Sequence, residues 1–97
     1  MKHIKVILWL RIENNNKFVC GRKRAREEIE NWVLNEYIVS KTSEDDWGEY
    51  DLTIPYKNDE DLDKTIYDML DEIERRTRNR YCFAEYDVRD VNSDRSW

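Results

Sequence analysis

The N-terminal segment alternates between two kinds of side chain with a period of two. Between residues 3 and 12 every even-numbered position is isoleucine, valine or leucine, whereas the odd-numbered positions include Lys5, Trp9 and Arg11. A period of two is typical of a strand with one buried side. The segment therefore predicts a strand, which ends at three consecutive asparagines because asparagine tolerates turn conformations.

Two segments carry apolar side chains at helical spacing. The first, residues 22–36, has this stripe: Ala25, Ile29, Trp32 and Val33. The second begins after Asn58, a residue that can cap a helix, and its stripe is Leu62, Ile66, Met69, Leu70, Ile73 and Thr77. The second helix starts with acidic and ends with basic side chains, which complements the helix dipole and supports both of its boundaries.

Three further strands are predicted downstream of the first helix. Residues 37–41 and 47–56 are separated by a polar turn at 42–46, which is typical of an antiparallel hairpin. Alternation over residues 81–91 predicts the last strand. Residues 92–97 show no pattern, and we expect them to form a flexible tail.

The elements follow the order strand, helix, strand, strand, helix, strand. Right-handed crossovers place both helices on one face of the sheet, and the economical arrangement is a ferredoxin-like α+β sandwich. We expect a single domain over residues 1–91, with a four-stranded antiparallel sheet in the order 4-1-3-2. Within it we expect the first and third strands to be central and parallel to each other, and the two helices to run parallel.

Composition narrows the classes of function. The chain has 17 Lys+Arg against 22 Asp+Glu, a formal net charge of −5, whereas nucleic-acid-binding proteins usually carry a basic excess. No apolar run approaches the ~20 residues that cross a bilayer. Two cysteines, Cys20 and Cys82, are fewer than a disulfide framework needs, so we expect reduced thiols. These features predict a cytoplasmic domain without a membrane partner.

One face of the predicted sheet is free of helices and carries aromatic side chains. Trp9, Trp47 and Phe83 on this face are more than solubility requires. Together with Arg11 and Arg89 they predict a non-catalytic interaction or regulatory module that binds a protein partner or forms a homodimer. The alternative is that the two arginines simply cover the rings with their long side chains.

A basic segment leads into the first helix and is the candidate site for an anion or a nucleic acid. Its residues are Lys17, Arg22, Lys23, Arg24 and Arg26. With parallel helices, the acidic residues 59–63 would lie nearby and partly neutralise this segment, and the arginines of residues 75–80 would lie at the opposite end of the molecule. A nucleic-acid-associated protein is therefore the alternative function.

Signals for catalysis are weak. Cys20 and Arg26 have the spacing of a cysteine-phosphatase loop, which gives a third hypothesis, but Glu27 stands where a hydroxyl is expected. The single histidine, His3, excludes a multi-histidine metal site, and the acidic residues 44–46 lack the spacing and the glycine of a calcium loop. We predict no catalytic residue, no metal and no cofactor.

Overall fold

The alternating N-terminal segment forms the strand β1 (Lys2–Asn14). We describe it in a computed structural model, in which residues 1–14, 21–44 and 46–97 are described. The even-numbered side chains from Ile4 to Ile12 are buried, whereas Trp9 is 36 % exposed. The predicted division of β1 into a buried and an exposed side is therefore confirmed.

The remaining elements follow along the chain. They are the helix α1 (Arg22–Glu28), a π-helical turn (Ile29–Val33), the strands β2 (Ile38–Ser43) and β3 (Trp47–Tyr56), the helix α2 (Asp59–Asn79) and the strand β4 (Cys82–Asp90). Side chains of both helices share one hydrophobic core with the inner side of β1, β3 and β4. The protein is thus α+β, with two helices and a four-stranded sheet.

The sheet has the order β2-β3-β1-β4, or β4-β1-β3-β2 when it is read from its other edge. All three neighbouring pairs are antiparallel. The expectation of parallel central strands is wrong, since β1 and β3 run in opposite directions. The crossover through α1 gives β2 the same direction as β1. The hairpin then reverses the chain, so β3, which lies between β1 and β2 in the sheet, is antiparallel to both.

The helices are antiparallel, which corrects a second expectation. The start of α1 touches the end of α2, where Gly21 packs so closely on Arg80 that a Cβ at position 21 would clash with the carbonyl oxygen of Arg80. The start of α2 lies at the opposite end, where the Lys2 ammonium is 3.2 Å from the Asp59 carboxylate. Each helix runs back along the strand that precedes it, so opposed strands give opposed helices.

The π-helical turn changes which side of the first helix is buried. Leu34 donates its backbone N–H to the carbonyl of Ile29, five residues earlier, at 2.9 Å. Because this turn is wider than an α-helical turn, it rotates the following residues about the axis. Trp32 is 72 % exposed, whereas Glu30 and Leu34 are buried. The predicted inward position of Trp32 is therefore wrong.

The second helix agrees with its predicted pattern. All six residues of its predicted apolar stripe, from Leu62 to Thr77, are buried. The side-chain oxygen of Asn58 accepts hydrogen bonds from the backbone N–H groups of Glu60 and Asp61, at 3.0 and 3.1 Å. The predicted cap and stripe are confirmed, because both depend only on local spacing.

The C-terminal segment lies along the outer edge of β4. Ser96 pairs with Arg89 in an antiparallel bridge, and Trp97 donates its backbone N–H to the carbonyl of Val88 at 3.0 Å. The indole N–H of Trp97 also donates to the Asp63 carboxylate, at 2.8 Å. The flexibility expected of residues 92–97 stays a prediction, but these contacts connect the segment to both β4 and α2.

The contact between Gly21 and Arg80 gives a test of the helix arrangement. We expect Gly21→Ala to lower the free energy of unfolding by about 1–3 kcal/mol, because the new methyl group meets a backbone oxygen that cannot move alone. Urea denaturation measures this change. Asn31→Ala, at an exposed helical position, is the control and should change stability by less than about 0.5 kcal/mol. A fully stable Gly21→Ala protein would contradict the antiparallel packing.

Candidate interaction surfaces

The side of the sheet opposite the helices is uncovered, and we call it the open face. The odd-numbered residues of β1, β3 and β4 carry it, because the even-numbered residues of these strands point into the core. Its charged side chains are five carboxylates and three cations: Glu13, Glu49, Asp51, Glu85, Asp87, Lys5, Arg11 and Arg89. The open face therefore has an excess of negative charge.

Trp9 lies at the middle of the open face between two carboxylates. In the strand register it is directly opposite Glu49 on β3 and Asp87 on β4. Directly opposed residues of antiparallel strands have Cβ atoms roughly 5 Å apart. Trp9 is 36 % exposed, so an accessible indole lies between acidic neighbours on both sides.

The two arginines of the predicted site bind carboxylates. The Arg11 guanidinium lies 2.8 Å from Glu13 and 3.5 Å from Asp46. The Arg89 guanidinium lies 2.8 Å from Asp87. Among the described residues the one stacking of a cation on an aromatic ring is that of Arg95 on Trp97, with the guanidinium carbon 5.0 Å from the ring centroid. These ion pairs favour an uncovered Trp9 over the alternative of simple covering.

The three predicted aromatic anchors do not form one continuous patch. Trp47 is opposite Arg11, which makes it a diagonal neighbour of Trp9, and it is half-buried. Phe83 is opposite Glu13, four residues along β1 from Trp9, and is 43 % exposed. The structure therefore brings Trp9 and Trp47 together and leaves Phe83 at the end of the sheet.

Part of the basic segment borders a cavity of about 580 Å³, which we call the cleft. Three cationic and three acidic side chains line it: Arg22, Lys23, Arg26, Glu27, Glu30 and Glu44. Arg24 instead faces a separate depression beside Glu28 and Arg80. Lys17 and Cys20 lie outside the described residues, so their predicted roles stay predictions.

One of the arginines that line the cleft has polar atoms without partners. The Nε and Nη2 atoms of Arg26 are buried and have no hydrogen-bond acceptor among the described residues. The hydroxyl of Tyr50, which does not line the cleft, is also buried without a close partner among these residues. The Glu30 carboxylate is also buried and accepts a hydrogen bond from Lys41 at 3.0 Å. Burial raises the pKa of the Tyr50 phenol, and the nearby negative charge of Glu30 adds to this effect. The Tyr50 hydroxyl is therefore a neutral donor at physiological pH.

Glu30, Lys41 and Tyr50 were not predicted from the sequence as site residues. A glutamate four residues after Arg26 is a recognisable helical pair, which is the one available signal. Tyr50 belongs to the predicted strand 47–56, and strand spacing alone does not mark it as a site residue. No pattern signals the π-helical turn to which Glu30 belongs, nor its contact with Lys41.

The acidic start of α2 does not neutralise the described part of the basic segment, residues 22–26, which corrects the expectation for these residues. Asp59 pairs with Lys2, and Asp63 pairs with Arg95. The arginines at the end of α2 are also not at the opposite end of the molecule, because α2 ends beside Gly21. Arginine side chains there are themselves paired: Arg75 and Arg76 with Glu72, and Arg80 with Glu28.

The thiol of Cys82 is buried close to this end of α2. Its sulfur lies 3.4 Å from the carbonyl oxygen of Arg80. Burial raises the pKa of the Cys82 thiol, and the positive charge of Arg22 opposes the rise. A thiol with a raised pKa is a poor nucleophile, so Cys82 has a structural role in the core.

No family model, curated protein or solved structure matches this chain. In the described ranges, the helices include none with the length and apolar character to cross a membrane. The same ranges hold no group of three or more histidine, cysteine, aspartate or glutamate residues suited to a metal ion. The functional interpretation therefore depends on the open face and the cleft.

The pair of Glu28 and Arg80 gives a pH-dependent prediction. Hydrogen bonds from Arg80 lower the pKa of Glu28 from its usual value of 4.5. A lowered pKa in the folded state means that the pair stabilises the protein above pH 4.5 and that this stabilisation is lost as the pH falls through the folded-state pKa. We expect Glu28→Gln to be less stable than the wild type at neutral pH and equally stable in acid.

Urea denaturation at a series of pH values measures this difference. Glu36→Gln is the control, because Glu36 is exposed and forms no ion pair with the other described residues. Its difference from the wild type should be small at every pH. A Glu28→Gln difference that stayed constant down to pH values well below 4.5 would contradict a stabilising charge interaction with Arg80.

Proposed function

We propose that this protein is a non-catalytic interaction module that binds a cationic segment of a partner protein on its open face. The observation that carries the proposal is the position of Trp9, exposed between Glu49 and Asp87. An aromatic ring attracts a cation placed over its face, and Arg is the more frequent donor of that cation in proteins. Carboxylates on both sides of the ring would bind the same guanidinium or ammonium group.

Charge favours a basic partner over a second copy of this chain. Two open faces brought together would place an excess of carboxylates on each side of the interface, and juxtaposed like charges cost several kcal/mol, to order of magnitude. The formal net charge of −5 would also accelerate the encounter with a basic partner. Large aromatic side chains near the centre of an interface contribute most to its affinity, which supports Trp9, with Trp47 beside it, as the anchor.

The fold supports a ferredoxin-like assignment as part of this proposal. Both helices pack on one side of a sheet whose centre consists of β1 and β3, as in the split β-α-β arrangement. In this architecture one sheet face stays free for binding. The predicted cytoplasmic location and homodimer remain expectations of the sequence.

The test of this function is the affinity for a synthetic peptide of alternating arginine and leucine. We expect Trp9→Ala to weaken binding by about tenfold or more, because it removes the ring between the carboxylates. Isothermal titration calorimetry measures the affinity, which should also fall with rising salt concentration. Glu49→Lys should weaken binding as well, by charge repulsion.

Trp32→Ala is the matched control, since Trp32 is an exposed tryptophan on the helical side of the molecule. A peptide with glutamate in place of arginine is the control for charge. Equal affinities of Trp9→Ala and Trp32→Ala would contradict the proposal. Sedimentation equilibrium tests whether the open face binds a second copy of this chain. A dimer that dissociates on Trp9→Asp would assign the open face to self-association instead.

The alternative function, a nucleic-acid-associated protein, is favoured by one observation. Arg22 and Lys23 line the cleft without a salt bridge to any other described residue. A salt-dependent gel shift with DNA or RNA that is lost on replacing residues 22–24 by alanine would support this alternative. Phosphatase activity lost in Cys20→Ser would support the third hypothesis.

A further inference from the structure

The cleft is lined by Arg26, whose Nε and Nη2 atoms form one edge of the guanidinium group. We call these two atoms its binding edge, and this edge is empty. Three arginines can be compared. The Nε and Nη2 atoms of Arg80 donate to the two oxygens of Glu28, at 3.1 and 3.2 Å, and the same atoms of Arg75 donate to the two oxygens of Glu72. The same two atoms of Arg26 are buried and have no acceptor among the described residues.

An empty binding edge on a buried guanidinium is unfavourable, because its N–H groups have lost water and gained no acceptor. This edge matches two oxygens of one carboxylate or phosphate group. Glu30, four residues after Arg26, is already bound by Lys41 at 3.0 Å. An oxyanion is therefore the ligand that the Nε and Nη2 atoms of Arg26 fit.

We propose that the cleft binds the phosphate group of a small molecule, with Arg26 binding two of its oxygens. Arg22 and Lys23 line the same cleft and make no salt bridge with the other described residues, so both cations are available to a phosphate bound there. A volume of about 580 Å³ is in the range of small-molecule sites. The Arg26 edge is shielded from solvent in the free protein, so the flexible side chain turns toward the ligand on binding.

Acidic side chains on the cleft favour a small ligand over a nucleic-acid strand. Glu27 and Glu44 belong to the lining and would repel the further phosphates of a polyanion. This site is on the helical side of the molecule, whereas the proposed partner surface is the open face. The inference is therefore independent of the proposed function.

The test compares inorganic phosphate with chloride at equal ionic strength. We expect phosphate to raise the melting temperature of the wild-type protein more than chloride does, because a ligand that binds only the folded state stabilises it. Arg26→Lys retains the positive charge but loses the paired N–H groups, and should weaken phosphate affinity by about tenfold or more. Arg24→Lys is the matched control, since Arg24 lies outside the cleft, and should bind as the wild type does.

Several outcomes would overturn the proposal. These are equal stabilisation by phosphate and chloride, equal phosphate affinity of Arg26→Lys and the wild type, or binding confined to a single-stranded oligonucleotide. If Arg26→Lys does not fold, the double variant Arg22→Gln, Lys23→Gln replaces it, because both side chains are at least partly exposed. That variant should also lose the effect of phosphate, and retention of the full effect would contradict the assignment.

Discussion

The exclusion of water from one side of β1 is the interaction on which the rest of the structure depends. β1 is a central strand, it pairs with both β3 and β4, and its inner side chains are covered by the helices. Burying a large aliphatic side chain contributes about 1.5–3 kcal/mol to the stability of the fold. β1 buries five such side chains, at alternate positions from Ile4 to Ile12. The same alternation leaves the other side of the strand accessible, so one pattern creates both the core and the open face.

The sequence predicted what local periodicity controls and missed what chain direction controls. The alternation of β1 and the stripe of α2 are repeated over many residues, so each element and its buried side were correctly predicted. The predicted parallel directions of the central strands and of the helices were wrong, although the predicted crossover and hairpin already imply antiparallel directions. Direction follows from connectivity: the crossover through α1 gives β2 the direction of β1, and the hairpin reverses the chain between β2 and β3, which leaves β1 and β3 antiparallel.

The two candidate surfaces differ in how far the residues alone reveal them. The open face follows from strand alternation, and Trp9 could be placed there before its neighbours were known. The carboxylates that flank Trp9 could be identified only from the strand register, which places Glu49 and Asp87 opposite it. The cleft could not be predicted in this way, because its lining combines residues of β1, α1, the π-helical turn and β2 that are distant in sequence. Such a turn at the edge of a cavity is consistent with the frequent occurrence of π-helical turns at binding sites.

The segment beside β4 has a consequence for how the molecule avoids unwanted assembly. A strand at the border of a sheet presents backbone donors and acceptors that another chain can use to extend the sheet, which is a route to fibril formation. Here the carbonyl of Val88 and the N–H of Asp90 already bond to Trp97 and Arg95. That stretch of the border is therefore not available to pair with another chain, because residues 95–97 of the same chain already occupy its backbone groups.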